Sequence, residues 1–277
     1  MQHSHDYKEI SLVDSHCHLN MLDWKKNKES LLKQAEYHHI KHMLTVNVNP
    51  LELDQLLEIS SQYSSIFCSV GLHPNNTNDY KNALNTADWQ QILYDKLVTS
   101  VDNSKVIALG ETGLDYYYEK SEKKDQQDAF NIHLKASVEK DVPVIIHTRD
   151  ADADTIQMIK GFQESRGVFH CFSGDLAFAR EALDLGYMIS FSGIITFKNA
   201  ESLRGVVKYV PLDRMLVETD SPYLAPVPKR GKENQPAHTL HIAEKVAEVK
   251  GVLLCEVAEQ TTKNFFQLFN KAASAAA

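Results

Sequence analysis

The sequence is short of paired cysteines and of long apolar runs. Its four cysteines, Cys17, Cys68, Cys171 and Cys255, are scattered, which argues against a disulfide framework and a thiolate zinc site. No apolar run is long enough to span a bilayer, and the polar N-terminus lacks the apolar core of a secretory signal. We therefore expect a cytoplasmic protein without membrane contact.

The chain also lacks an excess of positive charge. Its formal net charge is -8 over 277 residues, which argues against a broad duplex-binding groove because such grooves rest on a basic surface. Hydrophobic residues make up 43% and charged residues 24%, as in ordinary globular domains. We predict one domain over residues 1–277, with a polar tail at 1–9 and a frayed terminus or cloning remnant at 271–277.

Strand-like and helix-like segments alternate along the chain. Continuous apolar runs bounded by turn residues are typical of parallel strands buried on both faces. Eight segments fit this pattern: 12–18, 42–48, 66–70, 106–110, 142–146, 167–169, 186–191 and 215–219. Helical spacing is evident between them, for example at 29–38, 126–138, 152–162 and 176–185. This alternation predicts a parallel α/β architecture.

Eight such repeats predict a (β/α)8 TIM barrel, whose usual size is about 250 residues. Two amphipathic segments, 239–250 and 253–269, are predicted to be helices that close the barrel. A doubly wound open sheet is the competing fold. It is disfavoured because candidate ligands on the first and eighth strands must meet, and only closure brings those strands together.

Six side chains at the carboxyl ends of five strands are candidate metal ligands. His16 and His18 follow an apolar pair, and alternation along a strand places both imidazoles on one face. Glu111, His147, His170 and Asp220 each follow another apolar run. Because a barrel carries its active site at this end of its strands, we expect these side chains to converge.

Six motifs occur in an order that resembles the TatD family of metal-dependent deoxyribonucleases, which belong to the amidohydrolase-like barrels. They are DSHCHL from Asp14, GLHP at 71–74, GETGLDYY at 110–117, PVIIHTRDA at 143–151, HCFSG at 170–174 and VETDSPYLAP at 217–226. The resemblance extends from about Leu12 to the last helices.

The resemblance implies a centre of two divalent ions. His16, His18 and Asp220 would hold one ion, His147 and His170 the other, and Glu111 would bridge them. Nitrogen and carboxylate ligands suit zinc, manganese, cobalt or magnesium. Two such ions would activate a water as hydroxide and stabilise both oxygens of a displacement at phosphorus.

Three acidic residues are the expected catalytic groups. We interpret Asp220 as both a metal ligand and the general base. Glu218 shares its face and is expected either to orient a ligand or to accept a proton. Glu111 is expected to act through the metals that it bridges.

Five further residues are expected to bind substrate. His73 lies in GLHP, and Arg149 follows His147 by two residues, where a guanidinium can bind a phosphate bidentately. Arg230, Lys232 and Asn234 match the family's loop after the last strand. Two positions of that loop depart from the family pattern, since Glu233 replaces an arginine and Gln235 a glutamate, so the loop has one cation fewer for a phosphate.

The predicted function is therefore metal-dependent hydrolysis of DNA phosphodiester bonds, with 3'-5' exonuclease action on single-stranded or frayed ends. The expected state is a monomer without an obligate protein partner. One alternative keeps the metal centre but hydrolyses an ester or amide, such as the aminoacyl ester of tRNA or a cyclic amide, because a fold does not decide a function. The other is a non-catalytic, metal-stabilised partner in DNA binding or repair.

Overall fold

The computed structural model describes residues 10–276, in which eight parallel strands alternate with helices. The strands are β1 (Leu12–Cys17), β2 (Ile40–Thr45), β3 (Ile66–Val70), β4 (Val106–Asp115), β5 (Val144–Arg149), β6 (Gly167–Phe169), β7 (Met188–Phe191) and β8 (Met215–Val217). They form one eight-stranded sheet in the order of the chain. The predicted (β/α)8 class is confirmed. The predicted tail at 1–9 lies outside the described residues.

The helices follow the strands in sequence. They are α1 (Trp24–Tyr37), α2 (Leu53–Ser61), α3 (Thr77–Leu84), α4 (Trp89–Ser100), α5 (Lys123–Lys140), α6 (Asp152–Lys160), α7 (Leu176–Asp184), α8 (Glu201–Tyr209), α9 (Thr239–Lys250), α10 (Leu254–Leu268) and α11 (Asn270–Ala276). No helix within residues 10–276 combines the length and the apolar character needed to cross a membrane.

The described residues group into two compact units. The first unit comprises residues 10–45, 170–183 and 188–267. Within it β1 pairs with β2 and β7 with β8, all in parallel. The first strand is also joined to the segment that follows the last strand, because Cys17 and Ser221 form a parallel bridge. The Ser15 hydroxyl reinforces this junction by donating to the Val217 carbonyl at 2.9 Å.

The second unit comprises residues 46–169, 184–187 and 268–276. Strands β3, β4, β5 and β6 pair in parallel there. Strand β4 runs five residues beyond the predicted end at Gly110. Gly113 permits this extension, because a Cβ at that position would lie 2.0 Å from the His147 carbonyl oxygen. The close approach carries β4 past Glu111 as far as Asp115.

The end of the chain differs from the sequence prediction. The composition of residues 271–277 predicts a frayed terminus or a cloning remnant, whereas Asn270–Ala276 form helix α11. Alanine has the highest helix propensity, so an alanine-rich end needs few contacts to become helical. Lys271 supplies such contacts by donating to the carbonyls of Asn103 at 3.2 Å and Val106 at 2.7 Å.

Candidate metal centre

The first candidate cluster joins the ends of β1 and β8. His16 and His18 are 0% and 3% exposed, and their Nε2 atoms lie 3.3 Å apart. The Asp220 Oδ1 atom lies 3.7 Å from Nε2 of His16 and 3.4 Å from Nε2 of His18. Two imidazoles and one carboxylate are a donor set that suits a divalent transition metal.

Hydrogen bonds in the backbone set the geometry of this cluster. The Asp220 amide donates to the His16 carbonyl at 2.9 Å, and the His18 amide donates to the Ser221 carbonyl at 2.8 Å. Asp220 itself has a φ of 56°, in the left-handed region that aspartate tolerates better than most residues. The cluster therefore depends on how firmly residues 219–223 are held.

Thr219 is held on both sides. Asp14 is fully buried and accepts from the Thr219 amide at 2.9 Å and the Thr219 hydroxyl at 2.6 Å. Asn234, also fully buried, donates its side-chain amide to the carbonyls of Thr219 at 2.8 Å and Tyr223 at 2.6 Å. Asn234 thus fixes the chain before and after Asp220. Burial raises the pKa of Asp14 to about 8 against the opposing hydrogen bonds from Thr219.

A second group in the same unit contains His16, His170 and Glu218. The rings of His16 and His170 stack with centroids 3.9 Å apart. The Glu218 Oε1 atom accepts from the Cys171 amide at 2.7 Å and lies 3.3 Å from Nδ1 of His170. Donation from Nδ1 to this carboxylate leaves Nε2 of His170 with its lone pair, as in many metal-bound histidines.

Glu218 itself is fully buried, and its Oε2 atom makes no hydrogen bond within the described residues. A buried carboxylate oxygen of this kind is costly unless a cation or a proton lies near it. The residues present therefore fit a divalent ion. When bound, such an ion would lower the pKa of a water and offset negative charge on a substrate.

The third group lies in the second unit and consists of His73, Glu111 and His147. The Glu111 Oε1 atom lies 3.3 Å from Nε2 of His73 and 3.1 Å from Nδ1 of His147. Nδ1 of His73 accepts from the Asn75 amide at 3.0 Å, so in the neutral ring Nε2 carries the hydrogen and donates to Glu111. His73, expected to bind substrate, is placed to hold Glu111.

Sequence reasoning missed Asp115, which orients His147. Its Oδ2 atom lies 3.1 Å from Nε2 of His147 and accepts from the Asn75 side chain at 3.0 Å. Burial alone would raise the pKa of Asp115, but the hydrogen bonds from His147, Tyr118 and Asn75 outweigh it and lower that pKa to about 2. Donation from Nε2 directs the Nδ1 lone pair of His147 towards Glu111, so these two groups would hold a divalent ion.

The structure therefore brings the six predicted ligands into clusters within the two units. His16, His18 and Asp220 form one group, His170 joins His16, and Glu111 faces His147. Burial would raise the pKa of Asp220, but a hydrogen bond from His18 and the charges of His16 and His170 hold it below its ordinary value. The sharing of one ion by His147 and His170, and the bridging role of Glu111, stay predictions.

The residues predicted to bind substrate have varied surroundings. Asn234 is fully buried with its amide engaged, so the structure gives it a positioning role instead of substrate contact. Arg230 and Lys232 are exposed, and the Arg230 guanidinium stacks on Phe197 at 3.9 Å from the ring centroid. Arg149 lies at the end of β5 beside two exposed tyrosines.

Comparisons with known proteins show the family of this chain. The family model "TatD related DNase" matches residues 13–270. The metal-dependent hydrolase YcfH of Escherichia coli K12 is 45% identical over 95% of this chain and 97% of its own length. YabD of Bacillus subtilis 168, also described as a metal-dependent hydrolase, is 34% identical over 93% and 98%. The chain belongs to the TatD family, and it is a metal-dependent hydrolase.

Solved structures show the same fold. The TatD homologue YjjV of Escherichia coli K12 superposes with a TM-score of 0.84 at 26% identity, covering 94% of this chain and 98% of YjjV. A variant of a PTE-like lactonase from Deinococcus radiodurans superposes with a TM-score of 0.62 at 17% identity, covering 94% and 96%. At that identity the second likeness shows the fold alone.

Proposed function

We propose that this protein is a deoxyribonuclease that uses divalent metal ions to hydrolyse phosphodiester bonds, removing nucleotides from the 3' end of single-stranded or frayed DNA. The family model supports the nuclease class through its description. The observation that carries the choice of a phosphate substrate is Arg149. It lies two residues beyond His147 on β5 and forms no ion pair with a carboxylate in the described part of the chain.

The clusters have different expected roles in binding metal ions and in catalysis. His16, His18 and Asp220 would hold one ion, and Glu111 and His147 would contribute to a second; magnesium, manganese and zinc all suit these ligands. We expect Asp220 to accept a proton from the attacking water, and the 14% exposure of its side chain supports this role. Glu218 and Asp115 orient His170 and His147.

The distribution of charge favours the ends of DNA strands as substrates over long duplex DNA. The net charge of -8 means that the protein as a whole repels DNA, which is a polyanion. Arg149 in the second unit, and Arg230 and Lys232 in the first, would each supply positive charge for a phosphate. Glu233, exposed beside Lys232, removes the cation that the family loop carries there. We propose a monomer that meets its DNA without an obligate protein partner.

The proposal is tested by nucleotide release from single-stranded DNA labelled at either end. Metal-stripped protein would be resupplied with magnesium, manganese or zinc, and Glu111→Ala serves as the inactive control. We expect labelled mononucleotide from the 3' end with at least one ion and none from the variant.

The same preparations would be offered aminoacyl esters and cyclic amides. Hydrolysis of these with no release from DNA, under conditions where metal binding is verified, would replace the nuclease by the alternative hydrolase. A non-catalytic role is not supported, because the relatives are metal-dependent hydrolases.

A further inference from the structure

Two tyrosines and an arginine form an exposed stack after β4 and at the end of β5. The guanidinium carbon of Arg149 lies 3.9 Å from the ring centroid of Tyr117 and 4.7 Å from that of Tyr118. Arg149 also donates to the Tyr118 hydroxyl at 3.2 Å. The two rings meet edge to face with centroids 4.9 Å apart. These three residues are called the tyrosine–arginine platform below.

The platform stays accessible although its members contact one another. Tyr117 is 56% exposed and Tyr118 is 50% exposed. Large aromatic side chains are usually more deeply buried, so two adjacent exposed rings on a cation favour a binding role. The platform is positively charged, since no carboxylate of residues 10–276 pairs with Arg149, and Lys120 adds a second cation at 5.6 Å from the Tyr118 ring centroid.

A single buried carboxylate ties the platform to the candidate metal ligands. The Asp115 Oδ1 atom accepts from the amides of Tyr117 at 3.0 Å and Tyr118 at 3.1 Å. Its Oδ2 atom pairs with Nε2 of His147 at 3.1 Å. The Tyr116 amide donates to the Arg149 carbonyl at 2.9 Å. The platform is therefore fixed in position relative to His147, and a ligand on it would lie beside the candidate centre.

We propose that the tyrosine–arginine platform binds the terminal unpaired nucleobase of a DNA strand by stacking, while Arg149 binds the adjacent phosphate. The inference rests on the proposed nuclease function and names how that site holds its substrate. Every base has a π face, so an aromatic platform binds strands of any sequence. A base must be unpaired to stack in this way, which matches a preference for single-stranded or frayed ends.

The chain offers a matched control elsewhere. Tyr209 at the end of α8 is 44% exposed, and the Arg180 guanidinium lies 5.1 Å from its ring centroid. This pair has the same chemistry, but it belongs to helices α7 and α8 and not to the strand ends that carry the candidate ligands. Loss of Tyr209 should leave binding of DNA unchanged.

The test uses a short single-stranded oligonucleotide with cleavage-resistant phosphorothioate linkages and 2-aminopurine as its terminal base at either the 3' or the 5' end. Its fluorescence is quenched when the base stacks. We expect the metal-loaded wild-type protein to quench one of the two probes. The double variant Tyr117→Ala, Tyr118→Ala should lose the quench and bind about 5- to 150-fold more weakly, as expected for the loss of stacking on one base.

Further variants distinguish a loss of stacking from a loss of folded protein. Tyr117→Phe keeps the ring and should keep the quench, and Tyr209→Ala should behave as wild type. A probe whose terminal nucleotide lacks a base should bind wild type and the double variant equally. Unchanged quenching in the double variant, or no quenching of either probe by wild type that binds the oligonucleotide, would overturn the proposal.

Nucleotide release from an unmodified strand is measured in parallel, so the two proposals fail separately. Release by wild type with an unaffected double variant rejects the platform but keeps the nuclease. Absence of both binding and release in the metal-loaded wild type rejects the nuclease, and the platform with it.

Discussion

Asp115 and His147 form a hydrogen bond of 3.1 Å between Oδ2 and Nε2, and the other ring nitrogen of His147 lies 3.1 Å from Glu111. One imidazole is thus held between two carboxylates. Because Asp115 accepts the ring hydrogen at Nε2, Nδ1 presents its lone pair on the side of Glu111. Asp115 therefore sets the tautomer and the direction of a candidate metal ligand.

Removal of Asp115 is expected to weaken metal binding. Asp115→Ala leaves His147 without its hydrogen-bond partner. The loss of such a partner typically lowers metal affinity by about 10- to 100-fold. Competition with a chelating dye measures that affinity. Asp154→Ala is the control, since Asp154 accepts from the Tyr116 hydroxyl at 2.7 Å and touches no candidate ligand. Wild-type affinity in Asp115→Ala would contradict the assigned role.

Asn234 is expected to act through stability and not through direct substrate contact. Asn234→Ala removes the donors to the carbonyls of Thr219 and Tyr223, and leaving the buried Thr219 carbonyl unpaired should lower the free energy of unfolding by about 1 to 3 kcal/mol. Unfolding in urea measures this free energy. The neighbouring exposed residue provides the comparison: Glu233→Ala should unfold as wild type. Equal stability of all three proteins would show that Asn234 does not hold the Asp220 segment.

Acid is expected to destabilise the protein through His133. This buried ring donates from Nδ1 to the Ala129 carbonyl at 2.7 Å and accepts from the Leu72 amide at 3.1 Å. Burial lowers its pKa from 6.5 to about 4. The unfolded chain therefore binds the proton first as the pH falls. The contribution of His133 is fully present above pH 6.5 and declines between pH 6.5 and about 4, by about 3 kcal/mol in all.

The matching variant is His133→Gln, compared with wild type by urea unfolding of chelator-treated protein at pH 7 and pH 4. The variant cannot titrate at this position, so its loss of stability over that interval should be smaller by about 3 kcal/mol. The same pH dependence in both proteins would count against the assignment.

Charge reversal in the loop after β8 is expected to weaken substrate binding. Arg230→Glu should raise KM for single-stranded DNA with little change in kcat, because Arg230 is exposed and lies outside the metal clusters. For a contact with one phosphate of a single strand, the slope of log affinity against log salt should fall by about 0.7. Lys33→Glu on α1 provides an exposed control of equal charge change. An identical KM in both variants would remove Arg230 from the substrate contacts.

Much of the fold and most of the candidate ligands could be predicted from the sequence. The carboxyl ends of parallel strands lie at one edge of the sheet, so His16, His147 and Asp220 could be placed from local patterns alone. Asp115 was missed because the apolar run stops at Leu109, whereas the strand continues to Asp115. Period-two spacing from Glu111 would have indicated it, since residues 111, 113 and 115 share a face.

The other differences concern tertiary contacts. Asn234 matches a polar loop motif, and nothing in its neighbours indicates that its amide is buried against the Asp220 segment. The alanine-rich end resembles a frayed tail in composition, and the contacts of Lys271 and the burial of Ala272 show that it packs. Composition describes a segment in isolation, whereas burial depends on residues far away in the chain.

The proposed function requires metal ions for the cleavage of DNA. One cluster of ligands is formed by His16, His18 and Asp220, and the other contains Glu111 and His147. The most direct test titrates metal into stripped protein, measuring bound metal per chain and the rate of nucleotide release from single-stranded DNA together. The rate should rise with occupancy, and Asp220→Ala and His147→Ala should each bind less metal and release no nucleotide. Full activity in the stripped protein, or wild-type activity in either variant, would contradict the claim.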